Sequence, residues 1–233
     1  MTTEERLENL ERQLAELRRS VRTQRLIIED DKGRSRAELR ITEIDTSLSL
    51  FDEHGQRRAW LAAFEGLSSL CLSDKTGKAR AWLVVDGHGP GLALHDNGQR
   101  RAWLNVEKDQ PSLELFDEYG QRRAWLAAGE DGPLLALCDE TGKPRASLSA
   151  DKDGSSLLLS DENCKLRAGL SAKKDGPALA LCDENGHRHA TLGVDNDRTG
   201  LQLFDETGTP RAGLVLAKDG PWLRLADANG KPI

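Results

Sequence analysis

The chain has 233 residues, of which 31% are charged and only 4% aromatic, with 22 Gly. A net charge of −6 gives no basic field over the whole molecule, which argues against general nucleic-acid or anionic-membrane binding as the main task. No apolar run is long enough to span a bilayer, and the Met-Thr-Thr-Glu-Glu start lacks the apolar stretch of a secretory signal, so assembly in the cytoplasm or elsewhere inside the cell is expected.

Residues 1–25 predict a coiled-coil oligomerisation helix. Leu7, Leu10, Leu14, Leu17 and Val21 fall at a and d positions, and Glu4, Glu5, Glu8, Glu11, Arg12 and Glu16 are among the charged residues around them. So short a coiled coil is marginal alone and predicts a device that sets the register of several chains.

Residues 26–233 predict a β-repeat shaft of about ten 22-residue copies of L-x-L-x-D-x-x-G-x-x-R-A-x-L. The copies begin at Leu26, Leu48, Leu70, Leu92, Leu113, Leu135, Leu157, Leu179, Leu201 and Leu223. One step is shortened to 21 residues, where Asp96-Asn97-Gly98 has lost a turn residue. Each copy reads as two short strands of period two, exemplified by Leu48-Ser49-Leu50-Phe51 and Arg58-Ala59-Trp60-Leu61. Asp52-Glu53-His54-Gly55 between them suits a type I turn, and Asp131-Gly132-Pro133 and its relatives join one copy to the next. The fold class is therefore an all-β repeat protein, β-prism-like or a solenoid, with a short N-terminal coiled-coil helix.

One copy cannot stand alone. Three Leu and one Ala on its apolar face offset far less than the cost of ordering its backbone. Stacked copies still present a continuous Leu/Ala face that needs a partner. Three chains turning these faces inward make a triangular prism, and a homotrimer is the expected assembly. A five-bladed propeller with two copies per blade is an alternative, but it requires a doubled period. Trp60, Trp82, Trp103 and Trp125 in consecutive copies show none. A monomeric solenoid is a further closure, and it leaves the leading helix without a role.

The segment Arg6-Leu7-Glu8-Asn9-Leu10-Glu11 resembles the R-h-x-x-h-E signature of short trimeric coiled coils, where h is apolar. A coiled coil leading into a β-repeat shaft resembles the plan of trimeric fibre proteins of phage tails and bacterial appendages. That resemblance implies a structural or adaptor role and no particular receptor, substrate or catalytic residue. A glycan-binding or glycan-cleaving fibre is the enzymatic alternative, and a propeller-like ligand-binding module the monomeric one.

The sequence offers no catalytic, metal or cofactor constellation. Cys71, Cys138, Cys164 and Cys182 lie at three different phases of the repeat. Cys138 and Cys182 are roughly 19 Å apart at ~4.8 Å per strand, too far for a disulfide. Isolated reduced thiols are expected. His189 occupies the slot held by Arg in the other full copies, which makes a metal site with His187 the weaker reading. Asp151-Lys152-Asp153-Gly154 and Asp195-Asn196-Asp197 lack the ligand spacing of a calcium loop.

One feature breaks the uniformity. The position between Ala and Leu is Trp in four consecutive copies, then Ser147, Gly169, Thr191 and Gly213. Arg58, Arg80, Arg101 and Arg123 stand two residues before these Trp, which predicts that they share the face opposite the Leu/Ala face. Trp60, Trp82, Trp103 and Trp125 with these Arg are the candidate binding residues, for an elongated protein or an anionic glycan. The alternative is Trp–Arg stacking that stiffens the shaft.

Overall fold

Two strand-forming runs flanking a turn make each copy a β-hairpin, and the linking turn sends the chain straight into the next. The computed structural model describes residues 2–19, 23–195, 197–227 and 229–233. Among these residues one helix precedes nineteen strands, and the architecture is nearly all antiparallel β. The chain divides into two compact units, Met1–Arg80 and Ala81–Ile233, a division that falls inside the repeat array.

The first unit opens with α1 (Thr3–Arg19). Its start is a capping box: Glu5 N–H donates to Thr2 Oγ1 at 3.2 Å, and Thr2 N–H donates to Glu5 Oε2 at 2.7 Å. Leu7 and Leu10 are exposed along it. Leu14 and Leu17 lie within α1, but their side chains, and Val21 altogether, fall outside the described residues. The strands β1 (Arg25–Glu29), β2 (Ser35–Ile41), β3 (Asp45–Phe51), β4 (Arg57–Phe64) and β5 (Leu67–Ser73) follow. Each pairs with the next, and Leu26, Leu39, Leu48, Leu61 and Leu70 stand directly opposite one another in turn.

The second unit begins within β6 (Ala79–Asp86), followed by β7 (Gly89–Asp96), β8 (Gln99–Glu107), β9 (Gln110–Phe116) and β10 (Arg122–Gly129). Next come β11 (Gly132–Cys138), β12 (Pro144–Asp151), β13 (Gly154–Ser160), β14 (Leu166–Lys173) and β15 (Gly176–Cys182). The last are β16 (Arg188–Val194), β17 (Arg198–Phe204), β18 (Pro210–Ala217) and β19 (Gly220–Leu225). Consecutive strands pair without a break from β6 to β19, so no separate blades form and the propeller alternative does not hold.

Register places one Leu from every strand of this unit in a single cross-strand row, from Leu83 opposite Leu92 to Leu214 opposite Leu223. Beside it runs a row alternating Ala and Leu, as in Ala124–Leu137–Ala146–Leu159. A third row holds Val, Ala, Leu, Pro, Thr and Ser pairs such as Val106–Pro111 and Ala128–Pro133. No charged residue enters these three rows. Apart from the half-buried Leu113, each Leu of the central row leaves between 36% and 70% of its surface exposed.

The D-x-x-G-x-x-R part of the repeat is exemplified by the Asp52 turn, and only the shortened copy turns differently. In the Asp52 turn, Asp52 Oδ1 accepts the N–H groups of His54 and Gln56 at 2.9 and 3.0 Å, and Gly55 closes the turn at φ 76°. Cys164 stands where this Gly belongs and adopts φ 60°, a conformation that costs an L-residue roughly 1–2 kcal/mol. In the shortened copy Asn97 and Gly98 both have positive φ, 51° and 81°, the signature of a two-residue type I′ turn.

The strand after each such turn then slips by one residue. Phe51 pairs with Arg57 and Leu50 with Ala59, leaving Arg58 as the extra residue of a β-bulge. Arg101, Arg123, Arg145, Arg167, His189 and Arg211 occupy the same bulge position.

Candidate binding face

The bulge decides what each arginine does. Arg58 Nη1 reaches back to Asp52 Oδ2 at 3.4 Å, and its Nε donates to the Ser73 carbonyl at 3.0 Å. Arg123 does the same with Asp117 and the Cys138 carbonyl, both at 3.3 Å. Arg80 Nε meets Asp74 Oδ2 at 2.7 Å, and Arg101 holds the bulge of the copy with the short turn. In Arg58 and Arg123 the guanidinium therefore ties its own turn to the residue that precedes the next turn. These contacts also hold the turn carboxylates in their charged form. Asp74 lies well below the ordinary carboxylate range, first through the Thr76 hydroxyl and further through Arg80. Asp30, bonded by Arg34, is lowered to about 2.

The arginine that lies over the indole is the one before, at the paired position. Arg57 sits 4.9 Å from the centroid of Trp60, Arg100 4.7 Å from Trp103, and Arg122 4.7 Å from Trp125. Strict alternation assigns this place to Arg58, Arg101 and Arg123; the extra bulge residue moves it by one. Position 79, the equivalent site in the Trp82 copy, is Ala.

In the first unit Trp60 stands between Ser49 and Cys71, with Phe64 edge-on at 5.8 Å. In the second unit one cross-strand row reads Trp82, Ala93, Trp103, Glu114, Trp125, Ala136. The face is opposite the leucines, as alternation requires. Small residues beside the rings are covered: Ala93, between Trp82 and Trp103, is 1% exposed, and Ala136, next to Trp125, 3%. A Cβ on Gly91 would fall 2.1 Å from Trp103 Cη2, so β7 offers bare backbone to that indole.

Between Trp103 and Trp125 lies a surface groove of about 490 Å³, which Asn105, Ser112, Glu114 and Arg100 also line. Ser112 Oγ donates to Asn105 Oδ1 at 2.6 Å, which leaves the Asn105 NH2 group to donate elsewhere. Arg122 Nη1 holds Glu114 Oε1 at 3.0 Å. Reading the repeat for Trp alone misses Asn105 and Glu114. The signal was present, however. The middle position of L-x-L is Ser49, Cys71, Ala93, Ala136, Leu158, Ala180 or Gln202 in the other full copies, and an acid only at Glu114. The position two after the Trp slot is an amide only at Asn105, against Ala62, Val84, Ala127, Ser149, Ser171, Gly193 and Val215.

Other candidate chemistry stays dispersed. His189 Nε2 lies 3.2 Å from Asp183 Oδ2 and His187 Nδ1 3.5 Å from the same oxygen, so both histidines serve the turn carboxylate. Among the described residues no group of three His, Cys, Asp or Glu is arranged to hold a metal ion. No helix among them is long and apolar enough to cross a membrane.

No family model matches the chain, and no curated protein does. Among solved structures, local similarity is found to a point mutant of Staphylococcus aureus TarM in complex with fondaparinux, alpha-GlcNAc-glycerol and UDP. The identity is 12% and the TM-score 0.23, over 46% of this chain and 18% of that one. A TcdB2-TccC3-Cdc42 structure is 10% identical at TM-score 0.26, over 90% of this chain and 15% of that one. A functionally unknown protein from Desulfotomaculum acetoxidans is 9% identical at TM-score 0.21, over 90% of this chain and 91% of that one. The chain thus spans less than a fifth of the first two, and overlaps this low assign neither a family nor an activity to it.

Proposed function

We propose that the chain is a non-enzymatic, homotrimeric fibrous protein, assembled inside the cell, whose β-repeat acts as a spacer and docks a partner on its Trp/Arg stripe. The unbroken leucine row of the second unit carries this reading. Fourteen strands at ~4.8 Å and three side-chain rows make an apolar face on the order of 900 Å². That exceeds the roughly 300–600 Å² of the largest patch on a typical monomer and matches one partner's share of a stable interface. Its row of near-identical leucines suits a copy of itself. The R-h-x-x-h-E segment of α1, with Leu7 and Leu10 exposed, favours three copies over two.

The test is the mass of the full chain in solution by light scattering. A trimer weighs about three times 25.6 kDa. A monomer or a dimer at micromolar concentration would overturn the proposal.

A further inference from the structure

The chain has three Asn-Gly steps, Asn97-Gly98, Asn185-Gly186 and Asn229-Gly230, and all three asparagines are exposed. An Asn side chain followed by Gly is open to attack by the next backbone nitrogen, because Gly puts no side chain in the way. Such asparagines are among the thermolabile residues of a protein. The attacking nitrogen must give up its proton, so a hydrogen bond donated by that N–H holds the step back. Access does not separate the three sites. The state of the glycine N–H does.

In the full-length turns that N–H is committed. Gly186 N–H donates to the Asp183 carbonyl at 3.1 Å, and Gly230 N–H to the Asp227 carbonyl at 2.9 Å. The same aspartates also hold the asparagine N–H groups, Asn185 at 2.8 Å and Asn229 at 2.9 Å from Oδ1. The shortened copy lost this arrangement together with its missing residue. Asp96 pairs directly with Gln99 across a two-residue turn, and the N–H of Gly98 donates to no acceptor. A Cβ at Gly98 would meet nothing within 4 Å, so this flank of the turn is open. The Asn97 side chain donates Nδ2 to Asp96 Oδ2 at 3.3 Å, a contact to the leaving nitrogen and not to the carbonyl.

We propose that Asn97 is a site of spontaneous deamidation through its own backbone, set apart from Asn185 and Asn229 by the unbonded N–H of Gly98. The Gly98 nitrogen loses its proton and bonds to Asn97 Cγ. The Cγ–Nδ2 bond breaks, and the amide group takes up a proton and leaves as ammonia. Water then opens the resulting five-membered imide at either carbonyl, giving aspartate or β-linked isoaspartate, and nothing is oxidised or reduced. Isoaspartate adds a methylene to the backbone of a turn built for two α-linked residues. The pairing of β7 with β8 beside the turn loosens as a result. This modification is independent of the assembly and of the Trp/Arg stripe.

The test incubates the full chain at neutral pH and body temperature for several weeks, native and in urea. Peptide mass spectrometry follows the amide-to-acid conversion of the three asparagines, and isoaspartate is assayed with an isoaspartyl methyltransferase. In the native protein Asn97 should convert several times faster than Asn185 and Asn229, with isoaspartate among its products. In urea the three rates should draw together, because every glycine N–H is then free. Asn97→Gly keeps a turn sequence suited to type I′ and should remove the native isoaspartate signal. The aged wild-type protein should melt at a lower temperature than the aged Asn97→Gly variant.

Native conversion of Asn97 no faster than that of Asn185 would overturn the proposal. So would a preference for Asn97 that persists unchanged in urea, since local sequence and not the turn would then set it. Aspartate without isoaspartate would also overturn it, because direct hydrolysis of the side chain gives that product alone.

Discussion

Arg145 Nη1 lies 3.6 Å from Asp139 Oδ2, and the same guanidinium donates its Nε to the Ser160 carbonyl at 2.9 Å. The arginine thereby ties the turn of its own hairpin to the threshold of the next turn. Arg167 with Asp161 and Cys182, and Arg211 with Asp205 and Ala226, repeat the arrangement. Replacing one such arginine should loosen two neighbouring hairpins at once. Arg145→Ala is expected to lower the Tm by about 2–4 °C without changing assembly, as the loss of one partly exposed hydrogen-bonded contact would. Calorimetry of the variant beside wild type checks this, and an unchanged Tm would show the tie to be inert.

His189 is the natural experiment within the array. It keeps the contact to Asp183 Oδ2 at 3.2 Å, but its ring lacks the reach of a guanidinium to the carbonyl that precedes the next turn. By register that carbonyl belongs to Phe204, fifteen residues on, as Ser160 is from Arg145. His189→Arg should therefore restore the tie and raise the Tm by roughly 1–3 °C. A fall in Tm would mean the histidine is optimal for this turn.

The turn carboxylates set the acid limit of the fold. Asp30 titrates at about 2 because Arg34 bonds its carboxylate. Asp183 also reaches about 2: burial raises it, and the His187 N–H and the His189 ring together outweigh that. Asp52, Asp74, Asp117, Asp139, Asp161 and Asp205 are lowered as well. A carboxylate whose folded value lies below its unfolded value contributes its full share above the unfolded value, near ~3.9. That share disappears as pH falls through the folded value. Stability should thus be flat from neutral pH down to about 5 and drop steeply between about 4 and 2. Urea midpoints measured across this range test the prediction. A decline beginning near pH 6 would contradict it.

The two faces of β10 should respond oppositely to charge. Leu126 sits in the leucine row between Leu113 and Leu135, and in the proposed trimer three copies of Leu126→Asp would bury three carboxylates close together. Misassembly or insolubility is expected. Ser147→Asp, on the opposite face of β12 beside Ala136, should be soluble and of native mass. If Leu126→Asp gives native-sized, heat-stable protein, the apolar face is not the interface.

The leucine rows were legible because alternation of period two fixes faces, and Leu48, Leu50, Ala59 and Leu61 do meet on one face as their spacing requires. The turns were legible from Asp and Gly. The bulge was not, because an extra residue leaves the same letters in the same order and changes only which of them is paired. Arg57, Arg100 and Arg122 therefore went unnoticed beside Arg58, Arg101 and Arg123, although Asp and Arg six residues apart recur in copy after copy. The groove between Trp103 and Trp125 escaped for a different reason. Its members, Asn105 and Glu114, come from different strands and become neighbours only through register.

The central claim is that the leucine face of the second unit is covered by other copies of the chain. Hydroxyl-radical labelling of the native protein, read by mass spectrometry, reports on this directly. In a single chain Leu126, Leu148 and Leu170 are 47%, 51% and 51% exposed, and Trp82 on the opposite face is 39% exposed. In the assembled protein those leucines should be labelled several times less than in the urea-unfolded chain, while Trp82 stays readily labelled. Native leucines labelled at close to the unfolded level, beside an equally reactive Trp82, would contradict the account.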